Sequence, residues 1–348
     1  MTKSNVVISR FHAISETEFM ISIVSSDWEM YEPQSVIGIY KHDADEPWVK
    51  SEGDFHTAKI TSFTPDLSKR EESYFVVLAS EGEVHHLHPT DPFSEKIEGA
   101  NRHLHSLKQI GEKLYICGSR GQIYVRDGEQ DWNPLTGELL WDIDNWNNTR
   151  NMGPKDSSDP EWKNFRKQWR IEQERTNPKI LLMDVNGPSE EEIYLCGGKG
   201  RVYLWNGEEI ENLDCGMEHA LSKIHVSQNN DIWIIGLRGQ ILRGNNEEGF
   251  DDISTPEETN LLTSVTTYKG KHIFTSSTNP FGLFEFNEED ETLKKITPRL
   301  KPALKSIHTV QAVGDVLWVI GSKDILRLKN DKWERIEHPD IELPDGTL

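Results

Sequence analysis

Long apolar runs are missing from this 348-residue chain, and cysteine is scarce. No run approaches the about 18 apolar residues of a membrane span, which argues against a membrane protein. The three cysteines, Cys117, Cys196 and Cys215, lack the spacing of a disulfide framework or a zinc site. The first residues show no apolar segment followed by a cleavage site, so we expect no signal peptide and a cytoplasmic protein.

Positive charge is also in short supply. The chain has 38 Lys and Arg residues against 59 Asp and Glu residues, which leaves a formal net charge of −21. Such a surface repels the phosphates of nucleic acids and anionic lipids, so we expect neither nucleic acid nor membrane as a partner. It attracts a basic protein and speeds the encounter, although the same charge also serves solubility alone.

Familiar catalytic and metal-binding motifs are absent as well. The sequence contains no nucleophile elbow, no P-loop and no dinucleotide fingerprint. His85, His86, His88, His103 and His105 lie in neighbouring segments, but no cysteine or convincing carboxylate completes a zinc site. We therefore predict no catalytic residue, no metal and no cofactor. A pair of catalytic carboxylates drawn from distant segments would leave no such motif in the sequence.

The sequence does contain one short motif, called here the phrase, that occurs four times. "CGSRGQIYV" begins at Cys117, and it returns as "CGGKGRVYLW" from Cys196, as "IGLRGQIL" from Ile235 and as "IGSKDILRL" from Ile320. The second glycine of each bend, or the aspartate that replaces it, is found in six bends, at intervals of 39, 79, 39, 43 and 42 residues: Gly82, Gly121, Gly200, Gly239, Gly282 and Asp324. A period near 40 residues is typical of propeller blades with four strands each.

The strands around each bend define the blades. An innermost strand precedes the phrase, a two-residue turn such as Asp-Gly or Asn-Gly follows it, and a short outer strand ends the unit. We predict an all-β fold, a seven-bladed β-propeller over 1–348 with a Trp-rich helical insertion at 137–177 on one face. The predicted blades cover roughly 4–52, 55–98, 103–136, 178–214, 220–254, 260–298 and 305–338.

The phrases "LYICGSRGQIYVRDGEQDW" and "EIYLCGGKGRVYLWNGEEI" resemble the bacterial propeller repeats grouped as YVTN or BNR-like. The resemblance extends from about residue 70 to 338 and is specific for the fold, because propellers host enzymes, scaffolds and binders alike. Propellers of this plain kind are also similar to some immunity proteins paired with secreted bacterial toxins. The resemblance thus implies a protein partner without naming one.

The middle residue of each bend is basic in four blades: Arg120, Lys199, Arg238 and Lys323. In a blade of antiparallel strands, the bend between the second and third strands lies on the same face as the connection between blades. We therefore predict a basic arc around the central channel on that face, able to hold a carboxylate-rich segment. The alternative is that these are ordinary soluble turn residues.

The insertion enters on the same face. "SSDPEWKNFRKQWRIEQER" predicts a helix with Asp159 as N-cap and Pro160 in its first turn, ending before Asn177-Pro178. Trp162 and Trp169 share one stripe of it, with Arg166 beside them. Tryptophan and arginine are typical of binding hot spots, whereas an aromatic stripe also serves to pack a helix onto the propeller.

The predicted partner-binding residues share the bend face: Arg120, Lys199, Arg238, Lys323, Trp28, Tyr31, Trp162, Arg166 and Trp169. The function predicted from the sequence is a non-enzymatic, protein-binding propeller. Its most specific form is a cytoplasmic immunity protein that neutralises a basic toxin, such as a nuclease, by steric occlusion. The alternatives are a propeller enzyme or small-polyanion binder acting at the basic face, and an assembly scaffold.

Overall fold

The computed structural model describes residues 6–25, 35–69, 71–100, 103–135, 154, 158–176, 180–254 and 261–342. Over these residues the chain forms seven separate sheets, each of four antiparallel strands that follow one another in sequence order. The predicted seven-bladed, all-β propeller is confirmed, and the described part holds one α-helix, between blades 3 and 4. No helix in this part is long and apolar enough to cross a membrane.

The first four blades have these strands. Blade 1 contains β1 (Val6–Ala13), β2 (Glu18–Ser25), β3 (Ser35–Lys41) and β4 (Trp48–Gly53). Blade 2 contains β5 (Thr57–Phe63), β6 (Tyr74–Ala79), β7 (Glu83–Leu87) and β8 (Phe93–Lys96). Blade 3 contains β9 (Leu104–Ile110), β10 (Lys113–Gly118), β11 (Ile123–Gly128) and β12 (Asp131–Pro134). Blade 4 contains β13 (Leu182–Ser189), β14 (Glu192–Gly197), β15 (Val202–Trp205) and β16 (Ile210–Leu213).

The remaining elements complete the ring. Blade 5 contains β17 (Leu221–Val226), β18 (Ile232–Gly236), β19 (Ile241–Asn245) and β20 (Gly249–Asp252). Blade 6 contains β21 (Leu262–Tyr268), β22 (Lys271–Ser276), β23 (Gly282–Asn287) and β24 (Thr292–Ile296). Blade 7 contains β25 (Thr309–Val313), β26 (Val316–Ile320), β27 (Ile325–Lys329) and β28 (Lys332–Arg335). The helix α1 spans Pro160–Thr176.

The first strand of every blade lies innermost, because β1, β5, β9, β13, β17, β21 and β25 contact one another in that circular order. Seven apolar clusters fill the spaces between the blades, one at each interface. The second strands supply much of this core. Leu195, Ile234 and Val319, for instance, are buried at its centre, as expected for strands covered on both faces.

The blade 7–blade 1 interface joins the two ends of the described chain. Phe19 lies edge-on to Trp318 with ring centroids 5.0 Å apart. The side chain of Gln311 accepts a hydrogen bond from the Ala13 backbone N–H and donates one to its carbonyl, each at 2.9 Å. Each blade is built from consecutive residues, so contacts between blades 7 and 1 close the ring: side-chain packing, these hydrogen bonds, the backbone hydrogen bond from Ile8 N–H to the Ser322 carbonyl and the Lys329–Glu16 ion pair.

The glycines of the repeated phrase have two distinct roles. A Cβ at Gly197 or Gly236 would collide with the carbonyl oxygen of Leu181 or Ala220, where the next chain segment enters the blade. The second glycine, such as Gly200, has a positive φ of 67°, which glycine adopts without steric cost. In blades 4 and 5 the phrase therefore recurs because both blades need the same close approach and the same tight turn.

Candidate functional site

The bends between the second and third strands of blades 2 to 7 lie on one face, called here the bend face. Arg120, Lys199 and Arg238 have positive φ angles of 65°, 61° and 58°, so each occupies the left-handed region next to a glycine of the same conformation. Lys199 and Arg238 are exposed, whereas Arg120 and Lys323 are half-buried. The structure thus places the four predicted basic residues on one face, and their role in binding remains a prediction.

Two leucines accompany these cations. Leu181, at the start of blade 4, is 39% exposed, and Leu237, next to Arg238 in the blade 5 bend, is 41% exposed. Scattered exposed leucines are ordinary, but these two lie beside the bends of neighbouring blades. The bend face of blades 4 and 5 therefore combines apolar and positively charged side chains.

The helix α1 begins as its sequence predicts. The carboxylate of Asp159 accepts a hydrogen bond from the Glu161 backbone N–H at 2.8 Å, which satisfies one of the free donors of the first turn. The guanidinium of Arg166 lies 5.6 Å from the ring centroid of Trp162 and 5.0 Å from that of Trp169. Arg166 therefore covers the two predicted aromatic residues instead of standing apart from them.

Some of the predicted site lies outside the described residues. Trp28 and Tyr31 belong to the 26–34 segment, and most of 137–157 is likewise outside them. Within the described part, the seven apolar clusters between blades contain no residue of α1. Trp162, Phe165 and Trp169 are half-buried.

The opposite face, called here the hairpin face, carries the turns between first and second strands and between third and fourth strands. The third-to-fourth turn of every blade has exposed acidic residues: Asp43, Asp45, Glu46, Asp91, Asp127, Glu129, Glu208, Glu209, Glu247, Glu248, Glu288, Glu289, Asp290, Glu291 and Asp331. Lys69 and Lys269 are exposed cations of the first-to-second turns. Much of the negative charge of the protein is therefore collected on this face.

Local hydrogen bonds stabilise the turns of blades 4 and 5 that carry two adjacent glutamates each. The Asn206 side-chain oxygen accepts bonds from the N–H groups of Glu208 and Glu209 at 3.0 and 2.9 Å. Asn245 makes the same contacts with Glu247 and Glu248 at 2.9 and 2.8 Å. Such Asx turns hold a tight bend, and both glutamates of each pair are exposed.

The central channel has a feature that the sequence did not predict. In six of the innermost strands, the pairing with the second strand of the blade shifts by one residue near the start of the strand. The residue that follows this bulge occupies an equivalent position in each of the six blades. These positions, with their counterpart in blade 7, form a ring around the middle of the channel: Arg10, Lys59, Ser106, Asp184, Lys223, Ser264 and Thr309. We call this ring the waist.

Asp184 is the buried carboxylate of the waist. Its Oδ1 accepts a hydrogen bond from Ser106 Oγ at 2.5 Å, and its Oδ2 accepts one from the Ile224 N–H at 2.9 Å. Lys223 Nζ lies 2.8 Å from Oδ2. Burial alone raises the pKa of Asp184, but Lys223, Lys59 and these hydrogen bonds hold it below its usual value. Asp184 thereby links blades 3, 4 and 5 while remaining charged.

The lysines of the channel outnumber this carboxylate. Lys59 and Lys108 have no carboxylate within 4.0 Å in the described part of the chain. Repulsion from Lys223, followed by burial, lowers the pKa of Lys59 well below its usual value. Burial and then Lys223 lower the pKa of Lys108. Basic side chains are therefore crowded in the channel, where repulsion and burial disfavour their charged forms.

Histidines lie beside these lysines. The His12 ring is 3.0 Å from Ser62 Oγ, and the His225 ring is 2.8 Å from Thr267 Oγ1. Burial is the main cause that lowers the pKa of each histidine, and repulsion from nearby positive groups, including Lys108, is the second. Together they lower each pKa to about 3. Both rings are therefore neutral at neutral pH, when they can donate or accept a hydrogen bond.

The histidine segment that invited a metal hypothesis has a structural use. His86 is buried against Phe93 with ring centroids 4.4 Å apart, and its ring lies 3.4 Å from Glu95. Arg126 and Trp132 of blade 3 both donate hydrogen bonds to Glu95, so this network joins blades 2 and 3. The described residues contain no cluster suited to a metal ion.

Lys59, Lys108 and Lys223 are the residues that sequence reasoning missed. The available signal was a lysine at the third position of the innermost strand, as in "TAKITSF" and "LSKIHV". Period-two alternation does not reveal which of these side chains meet, because the bulges change the register within each strand.

Comparison with known proteins supports the same fold. No family model matches the chain. In sequence it is similar to the Immune protein Tsi7 of Pseudomonas aeruginosa, with 21% identity over 246 residues, which cover 71% of this chain and 68% of that protein.

Similar solved structures include a catalytically inactive virginiamycin B lyase from Staphylococcus aureus with quinupristin. It has a TM-score of 0.64 and 8% identity over 92% of this chain and 94% of the other. The WD40 propeller domain of Doa1 has a TM-score of 0.60 and 12% identity over 93% of this chain and 92% of the other. YCF48 bound to D1 peptide has a TM-score of 0.60 and 10% identity over 98% of this chain and 95% of the other. At such identities these likenesses show the fold alone.

Proposed function

We propose that this propeller is an immunity protein that binds and neutralises a toxin protein in the cytoplasm. The observation that carries the proposal is the sequence similarity to the Immune protein Tsi7 over 71% of the chain. The wholly propeller-shaped fold agrees with it, since a rigid ring of blades offers two broad faces for a partner.

We propose further that the toxin is basic and meets the hairpin face. The outer turns of all seven blades present exposed carboxylates there, and the net charge of −21 attracts a cation-rich surface from a distance. Docking on the bend face would instead bring a basic toxin against Lys199 and Arg238. Like charges brought together oppose association.

Neutralisation by occlusion needs no chemistry from this chain. A bound propeller covers the active site or other functional surface of the toxin, and the binding free energy alone keeps the complex together. An affinity in the nanomolar range corresponds to about 12 kcal/mol. Central contacts of the interface must supply much of this energy, because charged rims mainly set the association rate.

The experiment has two stages. The tagged protein is captured from its native cells at low ionic strength, and each stoichiometric partner is identified by mass spectrometry. Each partner is then produced in a susceptible host with and without this chain, and survival is counted. We expect a basic partner that kills the host alone and is harmless when the propeller is present. A set of partners that leaves survival unchanged in both conditions would overturn the proposal.

A further inference from the structure

The central channel runs between the two faces and is large enough for a small molecule. Two cavities of about 430 and 510 Å³ occupy its two halves, within the range of about 300–1,000 Å³ that ligand pockets usually have. Lys59, Asp184 and Lys223 line both cavities. The waist therefore lies where the two cavities meet.

The charges that line the channel are unbalanced. Among the described residues, both cavities together are lined by four cationic side chains and one carboxylate: Arg10, Lys59, Lys108, Lys223 and Asp184. Asp184 already accepts hydrogen bonds from Ser106 and Ile224 and pairs with Lys223. It cannot also neutralise the remaining cations. This surplus stands in the middle of a protein with a net charge of −21.

Uncompensated lysines inside a protein carry an energetic cost, because desolvation and mutual repulsion both oppose their charged forms. A bound anion removes part of this cost and adds charge-assisted hydrogen bonds. The surrounding groups suit such a ligand as well. Thr309 and the neutral rings of His12 and His225 border the cavities and can donate hydrogen bonds to anionic oxygens.

We propose that the central channel binds a small polyanion, a molecule with two or more phosphate or carboxylate groups, through Lys59 and Lys223 of the waist and Lys108 of the adjoining cavity. This site goes beyond the proposed immunity function and does not depend on it. It also differs from the basic arc expected on the bend face, because its cations come from the innermost strands. A ligand of this size buried in the channel would stabilise all the blades that it contacts.

The test is isothermal titration calorimetry, in which the purified full chain is titrated with sodium pyrophosphate and, in a second experiment, with sodium citrate. Sodium chloride at matched ionic strength is the blank. We expect saturable binding at one site per chain to at least one of the two probes, with a rise in melting temperature that grows with probe concentration. The better probe distinguishes phosphate from carboxylate recognition.

Variants assign the binding to the central channel. The double variant Lys59→Met/Lys108→Met removes two cations that have no carboxylate partner within the described residues, so we expect it to fold and to bind the probe at least about tenfold more weakly. The matched control is Lys41→Met/Lys332→Met, which changes two exposed lysines outside the channel and should bind normally.

Absence of saturable binding to both probes by the folded wild-type chain would overturn the proposal. Equal binding by the two double variants would overturn it too. Toxin neutralisation is measured separately on the same Lys59→Met/Lys108→Met protein. Survival of the host then reports on the immunity function whatever the titration shows, so failure of one proposal is distinguishable from failure of the other.

Discussion

The hairpin face and the bend face are made from similar tight turns, yet they differ in charge. In blade 4, the hairpin-face turn presents Glu208 and Glu209, while the bend-face turn presents Lys199. Blade 5 repeats the contrast with Glu247 and Glu248 against Arg238. Turn geometry fixes only the glycines and asparagines. The remaining exposed positions are open to any soluble residue, so the turns themselves do not require this contrast in charge.

The largest expected effect concerns the waist, which both faces share as a scaffold. Asp184→Asn would leave Lys223, whose side chain is 27% exposed, without its carboxylate partner, and removing one member of a largely buried ion pair is destabilising. We expect a large loss of unfolding free energy in urea, together with loss of binding through either face. A variant as stable as the wild type would show that the faces do not depend on this link between blades.

The next effect distinguishes the faces directly. Glu208→Lys, Glu209→Lys, Glu247→Lys and Glu248→Lys, combined in one protein, reverse the acidic pairs of blades 4 and 5. We expect association with the basic partner to slow by about 100-fold at low salt, within the range for electrostatic steering. Stopped-flow mixing at two salt concentrations measures this rate, and the difference should shrink at high salt.

The matched control for that experiment changes the bend face of the same blades. Lys199→Glu/Arg238→Glu should leave association unchanged or slightly faster, because it adds negative charge far from the contact. If this pair slowed association while the glutamate reversals did not, a carboxylate-rich segment of the partner would bind the bend face, as the sequence predicted.

A moderate effect is expected from pH. His12 and His225 have pKa values lowered to about 3 in the folded protein, whereas a histidine in the unfolded chain titrates near 6.5. The unfolded state therefore binds protons first on acidification, so stability is full above about pH 6.5 and declines toward pH 3. Melting temperatures across this range should show the decline. His12→Gln/His225→Gln should flatten the curve, and an unchanged curve would contradict this assignment.

The smallest effect is expected on the bend side, in α1. Arg166→Ala removes the guanidinium that lies over Trp162 and Trp169, a contact worth about 0.5–1 kcal/mol when exposed. We expect faster amide exchange within Pro160–Thr176 and no change in the melting temperature of the propeller. Arg166→Lys keeps a cation and should recover part of the protection. A lower melting temperature would show that α1 supports the blades.

The blades could be predicted because each one repeats the same local requirements. Blade 5, predicted as 220–254, has strands from Leu221 to Asp252, since the Gly236 approach and the Gly239 turn leave a visible pattern in the sequence. The charge of the hairpin face was also present in the sequence, in runs such as "NEEDE". Only the up-and-down strand order collects those runs on one side.

The waist could not be predicted in the same way. Lys59 and Lys223 belong to blades 2 and 5, and nothing in the sequence places them near each other. Their meeting depends on ring closure and on a bulge in each innermost strand. Side chains brought together by tertiary geometry leave no mark at a fixed sequence spacing, whereas residues within one turn do.

The interface between blades 7 and 1 has a consequence for how the molecule is made. Ala13 and Gln311, which bond each other there, are 298 residues apart. During synthesis the first six blades must therefore wait, with the apolar edge around Phe19 uncovered, until Trp318 has left the ribosome. Such a late and distant contact slows folding, and the uncovered edge is where a nascent chain would need protection from aggregation.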